Sequence, residues 1–219
     1  KENKIIKIWD FKSGELLNIL KGHTGNVFSV AISPNMEYIV SGSEDKTIRV
    51  WDFKSGECLN TLEGHENNVC SIVISNNGEY IISESYQEIK VWNIKTGKCL
   101  TTFECNVTAI NSLIISHNDK YIVFGSDNEI EIWDLKNEKC LNTLIGNKKD
   151  VSAIAISFDG KYIVSGNEDR IIKIWDFKSG ECLNTLEGHS GSVHSVSISP
   201  DGEYVISTSY DRTIKIWDF

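Results

Sequence analysis

The sequence has no apolar run that approaches the roughly 20 residues needed to span a bilayer as a helix. Its first residues, KENKIIKIWD, do not resemble a signal peptide. Basic residues are scarce, since Lys and Arg total 22 against 31 Asp and Glu, giving a net charge of −9. This charge disfavours binding to nucleic acid through its phosphates. We therefore expect a cytoplasmic protein, with the nucleus as an alternative location, that neither binds nucleic acid nor inserts into a membrane.

Metal-binding and cofactor-binding motifs are also missing. The sequence contains no Cys-x-x-Cys pair, glycine-rich phosphate loop, EF-hand or zincin motif. Four of the six cysteines lie 41 or 42 residues apart at equivalent positions of a repeat, namely Cys58, Cys99, Cys140 and Cys182. Cys70 and Cys105 stand alone, and His117 lies in a turn sequence, SHND. We expect reduced thiols, a solvated His117, no disulfide, no metal and no cofactor.

An internal repeat dominates the chain. The six tryptophans are separated by 42, 41, 41, 42 and 42 residues, and five of them are followed by Asp. The segment WDFKSGECLNTLEGH occurs unchanged at 51–65 and at 175–189, three periods apart. With 40% hydrophobic and 24% charged residues, the 219-residue chain is expected to be globular, as one large all-β domain or two small domains.

Each period contains four short β-rich runs. In the first full copy these are VFSVAIS, YIVSGS, TIRVW and CLNTL, separated by turn sequences such as SPNM and FKSG. Short connections predict an antiparallel meander, and nothing indicates a helix. The fourth run is the most polar, as expected of an outer strand.

The period, with Gly-His near one end and Trp-Asp near the other, resembles the WD-repeat family over essentially the whole chain. The resemblance implies an all-β fold, a β-propeller of four-stranded antiparallel blades. The expected blades are, approximately, 1–20 (partial), 21–62, 63–103, 104–144, 145–186 and 187–219, the last lacking its outer strand.

About five blades are covered, which we interpret as part of a larger, seven-bladed ring, since both ends of the sequence look cut from something longer. The alternative is a five-bladed ring closed by pairing residues 16–20 with the strand that ends at Trp217. An excerpt of a larger ring is expected to associate when made alone because its edges are unpaired.

A His-Ser-Asp-Trp set recurs with the repeat. His23, Ser41, Asp45 and Trp51 have the same spacings as His189, Ser207, Asp211 and Trp217. These residue types also occur in hydrolase triads, but a catalytic site would not recur with the period of the fold. The family resemblance implies a structural hydrogen-bond network instead, in which the indole meets the hydroxyl, the hydroxyl the imidazole and the imidazole the carboxylate.

The other copies of this set are incomplete. The second keeps His65, Ser83 and Trp92 but has Gln87 in place of the Asp. The fourth keeps Ser165, Asp169 and Trp175 but has Asn147 in place of the His. The third keeps only Asp127 and Trp133, with Asn106 and Phe124 at the other positions, and its last turn, LKNEKC, lacks the usual glycine. We expect the sheets with incomplete sets to be softer.

The resemblance also implies a partner-binding face, formed by the residues that enter each first strand and the residue before each turn Asp. By register these are Asn26, Phe28, Glu44, Asn68, Cys70, Tyr86, Ala109, Asn111, Ser126, Asp150, Ser152, Glu168, Ser192, His194 and Tyr210. Phe28, Tyr86, His194 and Tyr210 are the preferred anchors because aromatic groups dominate binding hot spots. Phe28 shares a strand face with Val30 and Ile32, so a core position is its alternative.

Function is therefore expected to lie in the surface. The leading interpretation is a non-catalytic scaffold that presents a propeller face to protein or peptide partners. The alternative is a ligand-sensing repeat module of a larger multidomain signalling protein, which the near-identical copies with variable face positions would suit. An enzyme with an axial pocket is a third class, but no catalytic group supports it.

Overall fold

In a computed structural model, the chain is described at residues 3–105, 107 and 110–219. Every regular element there is a β-strand. Within these described residues there is no helical segment that could span a bilayer. The chain divides into two compact units, Lys1–Asn106 and Val107–Phe219, which we call the N-terminal and C-terminal units.

The N-terminal unit holds one two-stranded and two four-stranded antiparallel sheets, each in sequential strand order. Its strands are β1 (Ile5–Trp9) and β2 (Leu16–Lys21); β3 (Val27–Ile32), β4 (Tyr38–Ser43), β5 (Ile48–Asp52) and β6 (Cys58–Leu62); and β7 (Ser71–Ile74), β8 (Tyr80–Ser85), β9 (Glu88–Asn93) and β10 (Cys99–Glu104).

The C-terminal unit holds two four-stranded sheets and one three-stranded sheet of the same kind. Its strands are β11 (Ile110–Ile115), β12 (Tyr121–Ser126), β13 (Glu129–Asp134) and β14 (Lys139–Ile145); β15 (Val151–Ile156), β16 (Tyr162–Asn167), β17 (Ile171–Asp176) and β18 (Cys182–Glu187); and β19 (Val193–Ile198), β20 (Tyr204–Ser209) and β21 (Ile214–Asp218). The expectation of an all-β chain of four-stranded antiparallel sheets is confirmed.

The turns follow from local side-chain chemistry. In the β15–β16 hairpin, the Ser157 hydroxyl donates to Asp159 and accepts from the Tyr162 amide at 3.0 Å, while Gly160 takes a φ of +71°. In the β17–β18 hairpin Gly180 takes a φ of +76°. Glu138 takes a φ of +54° in the β13–β14 hairpin, so the same turn forms there without a glycine.

Within each unit, neighbouring sheets pack face to face through aliphatic side chains and a tryptophan. In the N-terminal unit Val40 and Val50 of one sheet share a buried core with Val69 and Trp92 of the next. The sheets come very close, since a Cβ added at Gly42 would lie 2.6 Å from Val69 Cγ1. The glycine of this strand is therefore required by packing rather than by a turn.

Candidate functional site

The first complete His-Ser-Asp-Trp set lies within the β3–β6 sheet. The Trp51 indole N–H donates to the Ser41 hydroxyl (2.9 Å), which lies 2.8 Å from His23 Nε2. His23 Nδ1 lies 2.9 Å from Asp45. Because a carboxylate only accepts, Nδ1 carries the ring proton and the serine hydroxyl donates to Nε2.

The electrostatics of this set favour a neutral imidazole beside a charged carboxylate. Burial lowers the pKa of His23, against the opposing effect of Asp45. Burial would raise the pKa of Asp45, but hydrogen bonds from Thr47, His23 and the Thr24 amide together hold it well below its usual range.

The last sheet repeats the arrangement. Trp217 donates to Ser207 at 2.8 Å, Ser207 lies 2.8 Å from His189, and His189 lies 2.7 Å from Asp211. A hydrogen bond from Thr213 is the largest of the effects that lower the pKa of Asp211.

In the β7–β10 sheet the acidic partner is Glu88, and the assignment of that place to Gln87 was wrong. His65 Nδ1 lies 2.5 Å from Glu88, which also pairs with Lys90 at 3.0 Å. His65 Nε2 lies 2.7 Å from Ser83, to which Trp92 donates. The turn here is one residue shorter, so the first residue of β9 takes the place of the missing Asp.

The β15–β18 sheet holds only part of the set. Trp175 donates to Ser165 at 2.9 Å, as elsewhere. Asn147 stands in the histidine position, where its short amide takes the place of an imidazole. Its Oδ1 atom accepts a hydrogen bond from Asn167 Nδ2 at 3.2 Å. Asp169, which we expected in the network, keeps its Oδ2 atom buried with no hydrogen-bond partner among the described residues, as does Asn147 Nδ2.

In the β11–β14 sheet the indole has a different acceptor. Trp133 donates to Glu131 at 2.7 Å, because buried Phe124 offers no hydroxyl. Asp127 begins the short β12–β13 turn and its carbonyl accepts from the Val151 amide at 2.7 Å. Asn106, the residue in the histidine position, lies outside the described residues.

All the expected face residues of the C-terminal unit except Ala109 and Ser126 line one cavity of about 270 Å³. It is lined by Asn111, Asp150, Ser152, Glu168, Ser192, Val193, His194 and Tyr210. We call this the face cavity. The rings of His194 and Tyr210 meet edge to face at 5.5 Å, and Tyr210 is 74% exposed.

Two of the expected face residues do not suit a partner-binding role. Ser126 is completely buried, so its side chain is not available to a partner, and that expectation was wrong. The Ser152 hydroxyl reaches the cavity, but its single proton is already shared between the carbonyls of Gly166 and Val193. Ala109 lies outside the described residues.

In the N-terminal unit the expected face is less polar. Phe28 is 50% exposed, together with Val30 and Ile32 on the same strand, so Phe28 is a surface residue and not a core residue. Glu44 is the one acidic residue among the expected face residues of this unit. Its carboxylate already accepts a hydrogen bond from the Asn26 backbone amide at 3.1 Å. Asn68, Cys70 and Tyr86 are exposed.

Glu84 is a chemically unusual residue that lies outside every motif. It is 2% exposed, and its Oε2 atom has no hydrogen-bond partner among the described residues. Burial raises its pKa to about 8. The equivalent residue is Gly42 in β4, Gly125 in β12 and Gly166 in β16, so comparison of the copies could have revealed it.

All six cysteines are free thiols, and the four in equivalent positions are exposed on outer strands. Burial raises the pKa of the Cys70 thiol, and the neighbouring Glu84 charge adds to this effect. Within the described ranges, no three His, Cys, Asp or Glu side chains converge as a metal site.

A family model described as "WD domain, G-beta repeat" matches the chain five times, at residues 14–52, 56–93, 97–134, 138–176 and 180–218. Each match begins near the outer strand of one sheet and continues through three strands of the next. WD40 repeats generally mediate protein–protein interaction.

Curated relatives match over a single repeat length. "Cilia- and flagella-associated protein 52" from Sus scrofa is 49% identical over 41 residues, and the proteins of that name from Mus musculus and Homo sapiens are 44% identical over 41 residues. These matches cover 19% of this chain and 7% of each relative.

Proposed function

Because the chain belongs to the WD40 family of WD-domain, G-beta repeats, we propose that it is a non-catalytic interaction module that binds a protein or peptide segment. The observation that carries this proposal is the face cavity, where residues from three sheets of the C-terminal unit converge. Concave sites with a few polar groups and exposed aromatic residues are typical of binding surfaces.

The recurring Ser-His-Asp set supports a structural role rather than hydrolysis. Ser41, Ser83 and Ser207 are buried, and each hydroxyl already accepts a hydrogen bond from an indole. A nucleophile must reach its substrate, and these hydroxyls lie inside the sheets. Ester hydrolysis by the purified protein, lost on Ser41→Ala or Ser207→Ala, would contradict this view.

Selection from a displayed peptide library tests the binding function. Peptides enriched on the full chain should lose binding to the His194→Ala/Tyr210→Ala variant, which removes the exposed ring pair of the face cavity. The matched control is His117→Ala/Phe158→Ala, because these rings also meet, at 4.9 Å, in turns at the other ends of their strands. Peptides that bind both variants equally would place the binding site elsewhere, and no enrichment would contradict the module function.

We also propose a cytoplasmic location, associated with the cytoskeleton. The name of the matching relatives, which refers to cilia and flagella, supports this proposal. Detergent extraction of cells that express the tagged protein tests this location. We expect the protein to sediment with the cytoskeleton, and its release into the soluble fraction would contradict the proposal.

A further inference from the structure

We propose that the face cavity binds the ammonium or guanidinium group of a lysine or arginine side chain in the partner segment. This inference rests on the proposed function and adds the chemistry of the partner.

The lining of the face cavity is negatively charged. Asp150 and Glu168 both line it, and neither forms an ion pair with a described residue. No Lys or Arg side chain belongs to the lining, although Lys148 and Lys149 directly precede Asp150. An unpaired carboxylate in a concave site is best satisfied by a cation that also donates hydrogen bonds.

Tyr210 adds a second element of recognition that carboxylates alone would not provide. Its ring is highly exposed and meets the His194 ring in a T-shaped contact. A cation placed over a tyrosine face is attracted by the quadrupole of the ring. A basic side chain therefore gains from the ring and, through its charge and its N–H donors, from the carboxylates, whereas a neutral residue lacks the charge.

The walls of the face cavity are tied together through the backbone. The Glu168 amide donates to the Asp150 carbonyl at 3.1 Å, and the Ser192 hydroxyl donates to the Glu168 carbonyl. The Tyr210 amide donates to the Ser192 carbonyl at 3.0 Å. The two amide bonds each tie the loops of one sheet together, and the Ser192 bond joins the β19–β21 sheet to the β15–β18 sheet, so the backbone that carries the two carboxylates and the ring is organised before a ligand arrives.

The equivalent residues of the N-terminal unit lack this chemistry. Asn26 and Asn68 stand where Asp150 stands, and Cys70 and Phe28 stand where Ser152 stands. The one carboxylate, Glu44, already accepts a backbone hydrogen bond. At these equivalent positions, the pair of carboxylates is therefore found in the C-terminal unit and not in the N-terminal unit.

Three labelled peptides with one Gly-Ser backbone test the proposal on the full chain by fluorescence anisotropy. One carries arginines, one carries citrulline as a neutral isostere, and one carries glutamates. We expect the arginine peptide to bind most tightly and to lose affinity with added salt. The Asp150→Asn/Glu168→Gln variant should weaken it about tenfold, as expected for lost charge-assisted contacts.

The matched control removes the same charge from the other unit through Glu44→Gln/Glu63→Gln, and it should leave the affinity within about twofold if the contact is local. Tyr210→Phe should keep the binding, while Tyr210→Leu should weaken it. If both charge variants lose the same affinity for the arginine peptide, the overall charge of the protein explains the effect and the proposal is overturned. Citrulline or glutamate peptides that bind as tightly as arginine would also overturn it.

The result is separable from the test of the proposed function. If the library peptides require Tyr210 but contain no basic residue, the proposed interaction function is supported and the proposal of a basic partner is wrong. Arginine peptides that bind through Asp150 and Glu168 would support both.

Discussion

At the scale of single residues, the recurring polar set differs from copy to copy in how fully its groups are paired. His189 joins Ser207 to Asp211, whereas Asn147 makes its one described side-chain bond to Asn167. Asp169 of the same sheet keeps an unpaired buried oxygen. The contribution of the residue in the histidine position should therefore depend on the sheet.

We predict that His189→Ala lowers the free energy of unfolding by roughly 1–3 kcal/mol, because it leaves Ser207 and Asp211 without their shared partner. Asn147→Ala should cost less, because only one neutral hydrogen bond is lost. Urea unfolding followed by tryptophan fluorescence measures both. Equal effects of the two substitutions would contradict a structural role for the complete network.

Each residue that sequence reasoning missed or misplaced has its own physical reason. Glu88 replaces the turn carboxylate because a one-residue deletion shortens the turn, and position counting alone assigned the place to Gln87. Asn167 was overlooked because it lies two residues beyond the serine position and acts only where the imidazole is absent. Ser126 was placed on the surface by register, although the strand end that carries it is buried.

At the scale of elements, the β13–β14 hairpin has an unusual turn. Among the hairpins that join the third and fourth strands of a four-stranded sheet, it is the one whose turn contains no glycine. Glu138 adopts a left-handed backbone conformation that costs a non-glycine residue about 1 kcal/mol. We predict that Glu138→Gly raises the free energy of unfolding by up to about 1 kcal/mol, partly offset by the greater freedom of the unfolded chain.

The converse substitution serves as the control. Gly180 has the same role in the β17–β18 hairpin, and a Cβ there would lie 2.4 Å from Asn142 Nδ2. Gly180→Glu should therefore lower the melting temperature while Glu138→Gly raises it. Shifts of the same sign in differential scanning calorimetry would show that the turn conformation does not decide the outcome.

The strands were predictable because β-rich runs alternate with strong turn sequences in every period. Val40 and Val50, for instance, lie in such runs and are completely or almost completely buried. What the repeat could not predict was the polarity of individual positions. Comparison of the copies marks Glu84 as unusual, because its place is glycine in three other sheets, but nothing in its neighbouring sequence signals that the carboxyl is buried.

At the scale of the whole molecule, buried ionisable groups set opposite dependences of stability on pH. The folded-state pKa values of His23 and His65 are lowered by burial, so stability is lost as the pH falls below their ordinary value of 6.5. The pKa of Glu84 is raised from 4.5 to about 8, so stability is lost as the pH rises between these values.

We predict a maximum of thermal stability near pH 6.5, where the two losses meet. Glu84→Gln should remove the decline on the alkaline side and stabilise the protein at pH 8 by on the order of a few kcal/mol. Melting temperatures of both proteins between pH 5 and pH 9 measure this. An alkaline decline that persists unchanged in Glu84→Gln would show that another group causes it.

The offset between repeat and sheet has a genetic consequence. Each family match starts at the hairpin before an outer strand, so it contributes one strand to a finished sheet and three to the next. Recombination between two such hairpins, for example at FKSG of 53–56 and IKTG of 94–97, would join a third strand to an outer strand of the same type. The array could therefore lengthen or shorten by whole repeats without creating a mismatched sheet, and the unchanged segment at 51–65 and 175–189 is the kind of trace that such exchange leaves.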